Sequence, residues 1–228
     1  MICVMTTFAE RPERPLRADA LRNRAKILQA AAEVFADRGL DVTLDDIAHH
    51  AGVGVGTVYR RFADRETLIE TLFEARMKAE LQRMRDALAD PDPWHGLVTF
   101  VEGVCALIAT DRGMRQVMLS SAYGQGEVAH CRDEFGVLGE QLVARVKATG
   151  VVRPDFEVTD VFVLFLLIGS VTDFAGEVAP QLWRRYFEIM IDGIRARPGQ
   201  DRAPELTPPL DQGKLNSAMR CWRPLKRR

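Results

Sequence analysis

Apolar residues in this 228-residue chain recur every three to four positions nearly from end to end, and no convincing segment alternates apolar with polar as a half-buried strand does. That spacing restricts the fold to helices packed on helices, an all-α architecture. The length suffices to bury a core in one large domain or two modest ones. With 47% hydrophobic and 28% charged residues the composition is that of an ordinary soluble globular protein. The most apolar run, Val161–Val171, is too short to cross a bilayer, and Met1–Met5 is too short for a secretory signal. Four cysteines, Cys3, Cys105, Cys131 and Cys221, are scattered without a C-x-x-C pair, which suits a reduced cytoplasmic chain better than a disulfide framework. A membrane partner is not expected.

The spacing predicts a division into four stretches. Residues 1–17, with Pro12, Pro15 and many charges, read as a flexible basic arm. A first helix over about Ala18–Arg38 carries Ile27, Leu28, Ala31, Val34 and Phe35 on one face, and Gly39 is a plausible left-handed cap. Thr43 reads as an N-cap answered by Asp46, the acidic form of a capping box. Short helices Leu44–Ala51 and about Val55–Phe62 complete a unit over 18–63. A regulatory and dimerisation domain follows over 64–197. It opens with a long helix capped by Asp64, then predicts helices at about Trp94–Thr110, Met114–Ser121, His130–Thr149, Val158–Val178 and Pro180–Arg197. Residues 198–228, rich in proline, read as a flexible tail.

Two short helices joined by a tight glycine-containing turn make a helix-turn-helix. Ile47, Ala48, Val53, Val58 and Phe62 supply its small core, and the first helix must close over it because the pair alone buries too little. The second helix of such a unit enters the major groove of double-stranded DNA with its N-terminal residues against base edges. The candidate DNA-binding set is Thr43, Val55, Gly56, Thr57, Tyr59, Arg60, Arg61 and Arg65. Arg60 suits a bidentate contact to guanine and Val55 contact with a thymine methyl. Thr57, Tyr59, Arg61 and Arg65 suit phosphate oxygens, which orient the protein without reading sequence. The net charge of −1 gives no sign of a nucleic-acid partner, but local patches matter more than the total. Arg11, Arg14, Arg17, Arg22, Arg24 and Lys26 crowd the start, and a second basic cluster closes the chain.

In this stretch the chain resembles the TetR family of regulators. The matching residues are Phe35, Gly39, Thr43, Ile47, Ala48, Gly52, Val53, Gly56–Thr57–Val58–Tyr59, Phe62, Arg65 and Leu68. Arg65 stands where the family usually has lysine, and Gly54 and Gly56 leave few long side chains at the start of the recognition helix. The resemblance implies a homodimer joined through the last two long helices, a palindromic operator, and a small-molecule effector held among the middle helices. Effector binding would tilt the helix over Asp64–Ala89 and respace the recognition helices. The implied function is a repressor released by its ligand; an activator or a ligand-independent regulator is the alternative.

Candidate effector contacts are Trp94, Met114, Met118, Tyr123, Phe135, Phe165, Asp173 and Phe174, with the break at Gly124–Gly126 as a mobile entrance. The apolar helix over Val158–Val178 needs cover on two sides, and Gly169 and Ser170 would admit a partner helix. Gly52–Thr57 lacks both the third glycine of a dinucleotide loop and the Gly-Lys of a phosphate loop. Adjacent pairs His49–His50 and His130–Cys131 point to different helix faces and suit no metal. No catalytic constellation stands out. No cofactor, metal or enzymatic activity is expected.

Overall fold

The structure is a computed structural model that describes residues 13–196 and 206–221. In chain order the described helices are α1 (Glu13–Arg38), α2 (Leu44–Ala51), α3 (Val55–Arg61), α4 (Arg65–Ala89) and α5 (Pro93–Thr110). They continue with α6 (Arg112–Leu119), α7 (Gly126–Lys147), α8 (Val158–Ala175), α9 (Leu182–Gly193) and α10 (Gln212–Cys221). Side-chain caps set many of the starts. Asp64 accepts from the Thr67 amide at 2.7 Å, Asp92 from the Trp94 amide at 2.9 Å, and Asp111 from the Met114 amide at 2.7 Å. Among the described residues the one extended pairing is an isolated bridge between Val152 and Arg195.

Several expected boundaries change: α7 starts at Gly126 rather than His130, because Glu70 of α4 accepts from the Val128 amide of its first turn, and α8 stops at Ala175 rather than Val178. Helix α1 begins at Glu13 rather than Ala18, so the last part of the expected arm is helical; Pro15 falls in the first turn, where a helix needs no amide donor. Helix α9 runs only over Leu182–Gly193: Pro180 lies in a preceding turn closed by the Leu182 amide on the Ala179 carbonyl at 3.0 Å, and the chain beyond the helix pairs with the α7–α8 connection. There the Ala196 amide donates to the Val151 carbonyl at 2.8 Å and the Arg153 amide to the Ile194 carbonyl at 2.9 Å. The expected flexible tail contains α10, whose Leu215 is buried. Residues 1–12 of the arm and 198–205 and 222–228 of the tail lie outside the described residues.

Two apolar cores meet in the middle of the molecule. The first joins α1, α2 and α3 to the start of α4 through Ile27, Phe35, Ile47, Val58, Phe62 and Leu68, and continues to Met114 on α6 and Val128 on α7. The second lies among α5, α7, α8 and α9 around Val104, Leu142, Phe165, Ile168 and Trp183. Met118, Phe135 and Leu138 pack against both. Helices α5 and α8 have the length and hydropathy of membrane spans, yet Val104 and Ile168 on them are buried within this second core.

Helix α6 is the piece that locks the two parts together. Gly113 lies against α1 so closely that a Cβ would stand 2.9 Å from the Phe35 Cβ and 3.0 Å from its carbonyl oxygen. Gln116 reaches under the turn after α1, where Gly39 takes a φ of +79° that other residues rarely adopt. Its Oε1 accepts from the buried Leu40 amide at 2.6 Å. On the other side the buried Arg115 donates to the Gly169 carbonyl at 2.9 Å and to both oxygens of Asp173. Arg76 of α4 pairs with the capping Asp111. Replacing Gln116→Leu keeps much of the volume but strands the Leu40 amide. We expect a loss of about 1–3 kcal/mol in urea unfolding, and a loss within error would show that the turn finds another acceptor.

Candidate functional site

The helix-turn-helix is built as its residues dictate. The Thr43 hydroxyl accepts from the Asp46 amide at 3.1 Å while Asp46 Oδ2 accepts from the Thr43 amide at 2.9 Å, a reciprocal box. The Thr43 hydroxyl also donates to Asp46 at 2.7 Å, and these bonds hold the Asp46 carboxyl below its ordinary range, the side-chain bond contributing most. Helix α2 ends on Gly52 at a φ of +63°, the left-handed cap that turns the chain into α3. Val58 faces inward and is fully buried, so the other side of α3 must face solvent. Phe62 closes the unit from below, and the Arg24 guanidinium of α1 lies 6.0 Å from its ring centre.

The solvent side of α3 carries Val55, Gly56, Tyr59, Arg60 and Arg61, all exposed, with Thr57 half-buried beside them. Tyr59 is 51% exposed although it is a large aromatic. Arg60 donates to the Thr57 hydroxyl at 3.1 Å, so these two expected contact residues are held together at the face. A Cβ on Gly56 would meet nothing within 4 Å, so no packing demands a glycine there. Arg65 differs from the rest of the set. Its guanidinium donates to the Leu40 carbonyl at 3.1 Å and stands 4.0 Å from Asp41, tying the start of α4 to the α1–α2 turn. Thr43 is similarly engaged in its own capping box. Together, Val55, Gly56, Tyr59, Arg60 and Arg61 form one exposed face, with Thr43 and Arg65 at its structural base.

Two family descriptions match this chain. "Bacterial regulatory proteins, tetR family" matches residues 27–72, which span the helix-turn-helix, and "Transcriptional regulator SbtR-like, C-terminal domain" matches residues 92–196. The chain belongs to the TetR family. The transcriptional repressor BepR of Brucella suis biovar 1 is 32% identical over 139 residues, covering 58% of this chain and 66% of that protein. The chain spans about half or less of the next curated regulators it matches. Among solved structures, the MbdR regulator of Azoarcus sp. CIB is similar with a TM-score of 0.59 at 21% identity, over 75% of this chain and 98% of that one. The regulator FadR of Bacillus subtilis, in complex with stearoyl-CoA, gives a TM-score of 0.54 at 19% identity, over 75% and 99% of the two chains. At such identities these two share the fold.

Behind the DNA unit, at the seam of the two cores, lies a cavity of about 880 Å³. Its walls include Met84 of α4, Phe100 of α5, Met118 of α6, Phe135 of α7 and Phe162 of α8, and α10 adds Leu215 and Met219. Three of the expected effector contacts, Met118, Phe135 and Phe165, line it. The other five do not. Met114 is fully buried one turn away in the first core, and Trp94 lies half-buried with the Arg195 guanidinium 4.5 Å from its ring centre. Asp173 is neutralised by Arg115 at 2.8 Å and Arg112 at 3.2 Å, so it offers no spare charge to a ligand. Phe174 is 90% exposed because nine residues, two and a half helical turns, set it opposite Phe165 on α8.

Tyr123 and the expected mobile entrance are instead fastened down. The Tyr123 hydroxyl donates to Asp41 at 2.9 Å, beside the turn that Gln116 supports. Glu66 of α4 accepts from the Gly124 amide at 2.7 Å, and Glu70 accepts from the Gln125 and Val128 amides at 2.9 and 3.0 Å. Glu70 thereby caps α7, whose own N-cap Gln125 makes no side-chain cap. Arg132, which lines the cavity, donates to the carbonyls of Val117, Tyr123 and Gly124. Burial lowers its pKa. Glu66, Glu70, Arg115 and Arg132 escaped the sequence reading. The pairing of Glu66 and Glu70 at i,i+4 was a usable signal, because such a pair sits on one helix face and otherwise repels itself.

Proposed function

We propose that this protein is a cytoplasmic repressor of transcription that binds a palindromic operator as a homodimer and is released by a small apolar molecule. The observation that carries the DNA part is the exposed face of α3, where Tyr59, Arg60 and Arg61 project from a helix anchored by Val58. On this reading α3 lies in the major groove, Arg60 reads a base and Val55 meets a thymine methyl. Thr57, Tyr59 and Arg61 hold phosphates, while Arg65 and Thr43 keep the helix pair in register. Gly56, open on its outer side, lets the backbone approach the duplex closely.

Dimerisation is supported by large apolar side chains left in solvent on α8 and α9. Leu167 is 48% exposed, Phe174 90%, Tyr186 42% and Ile189 53%. Gly169 does not belong to that surface. It is buried, and a Cβ there would stand 2.9 Å from Arg115 Cδ, so its smallness serves contact with α6 rather than with a partner helix.

The effector is proposed to occupy the cavity at the seam, where Met118 and Phe135 touch both cores. A ligand that presses on these residues acts on α6 and on the strap from Arg132 through Tyr123 to Asp41. It can release DNA only if it prefers one arrangement of the dimer. A 100-fold preference corresponds to about 2.7 kcal/mol, within the usual range of allosteric coupling.

Two experiments test these assignments. On an operator selected from random duplexes, Arg60→Ala is expected to cost about 1–3 kcal/mol and to relax one base position. Tyr59→Phe is expected to weaken operator and scrambled DNA alike. Equal losses on both DNAs for Arg60→Ala would remove it from base readout. For the cavity, Gly136 lines the space and a Cβ there meets nothing within 4 Å. Gly136→Trp should therefore project into the cavity and take up part of its volume without breaking the fold. It is expected to weaken binding of the neutral apolar dye Nile red, followed by fluorescence, while operator binding persists. Undiminished dye binding would place the apolar site elsewhere.

A further inference from the structure

The tail helix α10 takes part in the cavity although it lies beyond the residues 92–196 that the C-terminal family description matches. Leu215 is its one buried residue, at 5% exposure, and Met219 lies one turn further along the same face. Gln212, Asn216 and Arg220 line the same space. The opposite side of the helix, with Lys214, Ser217 and Ala218, is exposed. Asp211 caps the helix internally, accepting from the Lys214 amide at 2.8 Å. The other walls are parts of helices whose further residues are buried in the two cores, so moving any of them would open those cores. Moving α10 uncovers little beyond Leu215. It is therefore the wall that can leave at least cost.

We propose that α10 is a lid that forms the last wall of the effector site: it swings away to admit the ligand and reseats with Leu215 and Met219 against it. This rests on the reading of the cavity as the effector site. The lid also narrows the class of ligand. Most of the walls are aliphatic, aromatic or thioether groups, whereas α10 adds the amides of Gln212 and Asn216 to a lining whose other polar groups include Ser121 and Arg132. The lining carries charges of both signs, Asp133 and Glu140 with Arg132 and Arg220, so no single ionic head group is favoured. A neutral apolar body with one hydrogen-bonding end, directed at α10, fits this distribution.

The test uses full-length protein and Nile red, with the dye assigned to the cavity by its weakened binding in Gly136→Trp. Dissociation of the dye is followed by stopped flow for Leu215→Asp and for Ala218→Asp, which places the same charge on the outer face of α10. Leu215→Asp is expected to speed dissociation by about tenfold or more, the order that one buried leucine contributes. Ala218→Asp is expected to match the parent. Leu215→Met, which preserves the apolar contact, should restore slow release. Equal rates for the two aspartate variants would overturn the lid while leaving the cavity as a ligand site. Failure of the parent protein to bind dye at all would overturn the cavity reading and the lid with it.

Discussion

The seating of α6 between α1 and α8 is the contact on which the rest of the structure depends. An eight-residue helix is short enough to move as one rigid piece, yet here it is held at both flanks. Gly113 and Gln116 grip the end of α1 and the turn that follows, which also carries Asp41 and the start of the helix-turn-helix. Arg115 grips α8 by a backbone carbonyl and a carboxylate. Leaving any of these buried polar groups unpartnered would cost more than the bond itself gains, so the clamp resists partial release. A small shift of α6 must carry α1 or α8 with it, and the interior is too dense to absorb the difference.

On the proposed function, this makes a cavity at the seam well placed for control. A void inside one core would change local packing and little else. The space here is bounded by Met118 and Phe135, which belong to both cores, and by Arg132, whose bonds hold the α6–α7 connection. That connection is in turn tied to α4 by Glu66 and Glu70 and to the DNA unit by Tyr123. On the proposed function, ligand and operator each favour an arrangement of the same clamp, and their effects on each other's affinity must be equal. The methionines suit the site because an unbranched thioether changes shape at low cost.

Much of this was legible in the sequence because it is local. Helical periodicity gave the helices, and the left-handed glycines after α1 and α2 and the Thr43 capping box appeared where short-range rules place them. The exposed positions of α3 follow from its burial of Val58 alone. What failed was non-local. Phe165 and Phe174 both looked like pocket aromatics; their nine-residue spacing already set them on opposite faces of α8, and the rotation of α8 within the bundle decides which face meets the cavity. Asp173 looked like a ligand contact because its partner, Arg115, lies 58 residues away. Gly169 looked like a gap for a partner helix because the side chain that fills the gap belongs to α6. The tail looked featureless because Leu215 and Met219 have meaning only beside a cavity built by distant helices. Prolines around it spoke for a loop, and two apolar residues one turn apart were too weak a signal to oppose them.

On the proposed function, two copies of α3 within a dimer meet successive turns of one face of the duplex. Pulsed electron paramagnetic resonance measures that spacing directly. Nitroxides are placed at Ala63, exposed between α3 and α4, with Cys3 and Cys221 replaced by serine. On the selected operator one narrow distance distribution is expected, matching recognition helices about 34–36 Å apart, one turn of DNA. Absence of a dipolar signal, or a distribution that is broad and unchanged when operator is added, would contradict it.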